Sequence, residues 1–174
     1  PIELVVVDFL SANTFYDRPF DKENPCPPAC FAIGDNPLEL VPSDASPAKQ
    51  ADDCASCPMN QWGSSGKGKA CKNQMKLALI AADLAAPDPS QIFTINVSPT
   101  GIKGFSSFSR NVQRFFGDDA LPIRAVVDIG FDLNQTYPTL TFTNVQANTN
   151  LGVAMSLLND ATAALMREPT PVDD

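Results

Sequence analysis

Four cysteines carry the clearest chemistry in this sequence. Cys54-Ala-Ser-Cys57 is a C-x2-C knuckle, with Cys71 fourteen residues after it and Cys30 twenty-four before it. The short turn inside the knuckle turns two sulfurs to one side, where a single ion can take both. Four thiolates close a tetrahedral shell and leave no position for water, which is the chemistry of a structural site and not of a Lewis acid. The expectation is one structural zinc ion per chain, held by Cys30, Cys54, Cys57 and Cys71. Such a site supplies on the order of 10 kcal/mol of folding free energy. An iron–sulfur cluster is the alternative occupant of four thiolates. Cys26 is the alternative fourth ligand. Cys30 is preferred because Phe31 follows it and can bury that corner, whereas Cys26 sits among prolines.

Other reactive groups are scarce. The chain has no histidine, which removes the commonest general base and the Ser-His and Cys-His nucleophile pairs. The odd cysteine count argues against a closed disulfide framework. No basic segment followed by an apolar run is visible at the start, so no export signal is expected and the thiols read as reduced. Gly63 to Ala70 fits G-x-x-x-x-G-K but ends in Ala, without the hydroxyl that holds magnesium, and no strand precedes it. The adjacent pairs Asp52-Asp53, Asp118-Asp119 and Asp173-Asp174 do not face a common substrate. No enzymatic activity is therefore expected.

The formal charge is −8, unevenly spread. Trp62 to Lys76 contains Lys67, Lys69, Lys72 and Lys76 and no acid, while Glu168 to Asp174 carries three acids and no base. Local fields steer a partner more than the sum does.

The elements that must position these groups read as follows. With 174 residues, 44% of them hydrophobic, one core can form, and a single domain over 1–167 is expected. A metal-binding loop, 24–73, is inserted in it, and an acidic flexible tail, 168–174, follows. No apolar run is long enough to span a membrane. Ile2 to Leu10 reads as a strand. The prolines of 17–53 exclude long helices and central strands, and a metal would tie that loop down. Met75 to Leu84 is a strand or a short helix, and Gln91 to Val97 a strand. Ser98 and Pro99 predict an N-cap and first turn for a helix ending at Gly117. Ile102, Phe105, Phe108, Val112, Phe115 and Phe116 share its broad apolar face. Lys103, Arg110 and Arg114 fall within about 40° of one another on the other side. Arg124 to Leu133 and Thr139 to Val145 predict two more strands. Asn148 or Thr149 predicts the cap of a last helix running to about Arg167.

Taken together, Pro28-x-Cys30-Phe31-Ala32, Cys54-Ala55-x-Cys57-Pro58-x-Asn60-x-Trp62-Gly63-Ser64 and Gly66-Lys67-Gly68-Lys69-Ala70-Cys71 resemble a family of small tailed-phage and prophage proteins associated with single-stranded DNA binding. Val97 to Thr100 and Phe131-Asp132 with Tyr137-Pro138-x-Leu140-x-Phe142 extend the likeness over roughly residues 15 to 145. The resemblance implies a sequence-nonspecific single-stranded DNA-binding protein acting in replication or recombination in the cytoplasm of an infected bacterium. A binder of that kind needs aromatic platforms and a cationic groove. Phe15, Tyr16, Phe20 and Trp62 are candidate platforms, with Lys67, Lys69, Lys72 and Lys76 beside them and Lys103, Arg110 and Arg114 as an extension. The competing roles are a Trp62 that caps the metal and a helix stripe that faces water. The acidic tail would recruit phage or host replication proteins. The alternative function is an acidic interaction protein that binds or inhibits a host protein, with DNA mimicry as one route. The fold class expected is α+β, either an OB-like barrel or twisted sheet carrying the zinc-tied loop and two helices, or a sheet covered by two helices.

Overall fold

β-branched and apolar residues open the chain as a long strand, β1 (Ile2–Phe15), whose first half buries Leu4, Val5, Val6 and Val7. In a computed structural model describing residues 1–169, it is followed by β2 (Cys30–Gly34), β3 (Lys72–Ala81), β4 (Phe93–Val97), α1 (Ile102–Phe116), β5 (Ala125–Phe131), β6 (Leu140–Ala147), α2 (Leu151–Ser156) and α3 (Leu158–Leu165). The fold is α+β, with an antiparallel sheet ordered β4-β3-β1-β5-β6 and β2 paired to β1 off that path. β4 and β6 end the path without pairing to each other, so the sheet is open and the expected OB-type barrel is not formed.

Two compact units make up the chain. The first contains Pro1–Phe9 and Met75–Leu165, and the second Leu10–Gln74 with the described residues from Met166 on. In the first unit, Phe105, Phe108 and Val112 of α1 are buried with Leu4, Val6 and Leu77. Phe108 stacks on Phe142 of β6 at 5.6 Å, and Phe105 meets Phe9 edge-on at 5.1 Å. The apolar face of α1 is narrower than its periodicity predicts. Phe115 and Phe116 are 66% and 37% exposed, because the core ends one turn before the helix does. Gly117, at φ +111°, stops the helix as expected, its N–H donating to the Gln113 carbonyl.

Several boundaries differ from the sequence reading. β1 runs five residues past Leu10, because Ser11 to Phe15 pair in register with Gly34 to Cys30 and the ladder overrides the weak strand preference of Ser and Asn. β2 lies inside the proline-rich stretch, in its one proline-free apolar run. Ser98 does not cap α1. Its hydroxyl bonds that of Thr100 at 3.0 Å, Gly101 N–H turns back to the Ser98 carbonyl, and the helix starts at Ile102. The last helix is two short helices broken at Leu157, whose N–H meets the Ala154 and Met155 carbonyls. Asn148 caps neither; its side chain takes the Asn150 N–H and donates to the Ile123 carbonyl.

Candidate metal centre and basic loop

The site is built in the second unit, from the distal half of β1, β2 and the irregular chain between β2 and β3. Register places Cys30 opposite Phe15 at the start of β2. The loop after β2 is stitched back onto it. Ser46 Oγ accepts from Phe31 N–H at 3.1 Å and donates to the Phe31 carbonyl at 3.2 Å, Ser43 N–H meets the same carbonyl, and Ala48 N–H meets that of Ala29. Cys54 N–H donates to the Leu40 carbonyl, fixing the entry to the knuckle.

The knuckle is closed by side chains. Asp53 accepts from Ser56 N–H at 2.7 Å, a local turn that holds Cys54 and Cys57 on one side. Asn60 Nδ2 donates to the Cys54 carbonyl at 2.7 Å, and Gln61 Nε2 to the Cys57 carbonyl at 3.1 Å. A single 3-10 turn, Pro58–Asn60, leads out of Cys57. The chain then reverses in a tight hairpin in which Ser65 bridges Gly68, and Cys71 N–H returns to the Met59 carbonyl. Gly66 at its tip has φ +64°, a left-handed conformation that a residue without Cβ adopts freely.

Cys30, Cys54, Cys57 and Cys71 are each buried and line one small cavity. Asn13, Met59 and Asn60 complete its wall on the β1 and knuckle sides. Burial pushes the Cys71 thiol up to about 12, with the charges of Cys54, Cys57 and Cys30 adding to it. Burial likewise raises Cys54, against a hydrogen bond from the Asn13 side chain that favours its thiolate. Among the described residues, no group of three or more His, Cys, Asp or Glu side chains is spaced to hold a metal ion as the side chains stand. The four thiols nevertheless line one cavity, and thiol sulfurs are soft donors of the type that suits a thiophilic ion. Cys26 is half-exposed and does not line the cavity.

No protein-family model, no curated protein and no solved structure matches this chain.

The phage-protein likeness of the cysteine motif accordingly rests on the motif residues alone. The structure distributes the candidate DNA-binding residues as follows. Trp62 is 80% exposed and Phe20 81%, with Tyr16 half-exposed, while Phe15 is turned into the cavity wall. Lys67 and Lys72 are exposed. Lys69 is half-buried, donating to Asn73 Oδ1 at 2.9 Å and Asn60 Oδ1 at 3.3 Å. Lys76 belongs to the first unit, where its ammonium donates to the Leu165 carbonyl and burial lowers its pKa. Lys103, Arg110 and Arg114 are exposed on α1, also in the first unit, with Arg110 donating to Ser107 Oγ at 3.1 Å. One compact unit thus gathers Trp62, Lys67, Lys69, Lys72, Tyr16 and Phe20, and leaves out Lys76 and the helix stripe.

Asn13 and Asn73 were not singled out from sequence. Nothing in the sequence marks either. In the tail, Ser43 Oγ donates to the Glu168 carboxylate, and the expectation of a flexible acidic tail for 170–174 lies outside the described residues. No helix among the described residues is long and apolar enough to cross a membrane.

Proposed function

We propose that this protein binds single-stranded DNA with little sequence preference, through the loop that follows a zinc knuckle formed by Cys30, Cys54, Cys57 and Cys71. The observation that carries the reading is Trp62, a large aromatic left 80% exposed beside a glycine-tipped hairpin that presents Lys67. From Cys54 to Ala82 the chain carries no acid, so no carboxylate within that stretch opposes a phosphate. Bases stack on exposed aromatics whatever their sequence, and lysines follow the backbone by charge alone. Lys67 and Lys72 are the phosphate contacts, and Tyr16 and Phe20 are further platforms in the same unit. The zinc ion, when bound, supplies rigidity to a segment with few apolar contacts. The protein is a binder and not an enzyme on this reading. The motif resemblance extends it to a phage replication or recombination accessory.

Trp62 is the single tryptophan of the chain, so its fluorescence reports the contact directly. Titration with an oligonucleotide of about thirty nucleotides, longer than typical single-strand site sizes, is expected to quench it. Trp62→Ala should weaken binding about tenfold. Lys67→Glu should weaken it and reduce the salt slope by about one counterion. Zinc-loaded, folded protein that neither quenches nor binds at low salt defeats the proposal and favours the interaction-protein reading.

A further inference from the structure

Lys69 belongs to the lysine-rich loop in sequence but is set apart from it in structure. Its ammonium is half-buried and meets only amide oxygens, those of Asn73 at 2.9 Å and Asn60 at 3.3 Å. Neither ion pair found among the described residues involves it. A nearby anion would offset the cost of drawing this cation partly out of water. The amides that hold Lys69 lead to the thiols. Asn73 Nδ2 donates to Asn60 Oδ1 at 2.9 Å and to Asn13 Oδ1 at 2.8 Å. Asn13 is buried, and Asn60 Nδ2 holds the Cys54 carbonyl. Asn13 and Asn60 both line the cavity of the four cysteines. Four thiolates around a divalent ion would carry a net charge of about −2 and so would supply such an anion.

We infer that Lys69 is the charge-compensating residue of the four-thiolate centre, held beside it by Asn60 and Asn73, and is not a nucleic-acid contact. The inference rests on the metal reading above. It separates two lysines, Lys67 and Lys69, that the sequence presents as equivalent. Partners outside the ligand shell commonly set metal affinity by about 10–100-fold.

The test is competition for Zn²⁺ between the full chain and a chromogenic chelator at fixed pH and salt. Lys69→Met keeps the aliphatic stem and removes the charge, and should weaken Zn²⁺ binding about tenfold or more. Lys69→Arg should restore it, which a role in packing alone would not require. Asn73→Asp, which places a carboxylate against Lys69 and consumes its charge, should weaken Zn²⁺ in the same direction; it serves as the second variant if Lys69→Met does not fold. Co²⁺ spectra of the saturated variants should keep tetrahedral thiolate bands. Oligonucleotide affinity of zinc-saturated Lys69→Met should match wild type, whereas Lys67→Met should lose affinity. Wild-type Zn²⁺ affinity in Lys69→Met, or a loss of oligonucleotide binding in that zinc-saturated variant, overturns the inference and leaves the metal site standing. Wild-type protein that takes up no Zn²⁺ overturns the metal reading itself.

Discussion

The two compact units are held together by different physics. The first encloses a continuous apolar cluster, from Leu4 and Val6 on β1 through Leu77 and Leu79 on β3 to Phe105 and Phe108 on α1. In the second, Ala32, Leu40 and Cys54 form a small apolar cluster among the described residues. Beside it are hydrogen bonds from side chains to backbone, made by Ser46, Asn60 and Gln61, and four thiols around one cavity. Prolines and glycines cannot supply a hydrophobic core, and a metal held by the four thiols, as proposed above, would do that task with four atoms. The lesson is that the unit with the smaller apolar cluster is the one that presents Trp62 and Lys67.

The comparison breaks most sharply on metal removal. Chelation, or Cys57→Ser, should remove on the order of 10 kcal/mol from the second unit. Amide hydrogen exchange should then accelerate across Cys30–Gly34 and Cys54–Cys71 while α1 and β5 keep their protection. Unchanged exchange around the knuckle would mean that hydrogen bonds alone hold it. Next in size, Phe108→Ala empties the stack on Phe142 and should cost about 3–5 kcal/mol in denaturant unfolding, with its loss of protection centred on α1 and β6. A smaller effect is expected from Ser46→Ala, which strips the buried Phe31 N–H of its partner, at about 1–3 kcal/mol, read as lost protection around β2. The smallest is Phe115→Ser. Phe115 is 66% exposed at the end of α1, and the change should stay within about 0.5 kcal/mol; a larger loss would mean that this exposed ring is structural after all.

Legibility from sequence follows the same division. The apolar run of β1 and the periodic inner face of α1 are legible, since burying them leaves few options. Local polar signals were less dependable. Ser98 looks like an N-cap, but its hydroxyl is taken by Thr100. The final helix reads as continuous until Leu157 breaks it, with Ser156 Oγ bonded back to the Gly152 carbonyl, a pattern that disturbs helices.

By itself, the sequence determined that a four-thiol set with C-x2-C spacing exists, that no histidine competes with it, and that lysines cluster without acids around Trp62. Those are properties of residue type and order. Tertiary structure alone decided that Asn13, sixty residues from Asn73 in the chain, lies within hydrogen-bond reach of it. It also decided that Lys69 turns inward while Lys67 faces water, and that Lys76 falls in the other unit. The reason is that a lysine's partner is set by what the folded chain brings to within about 3 Å of its nitrogen, and for Lys69 those partners arrive from the knuckle and β3. Spacing along one segment carries no record of them.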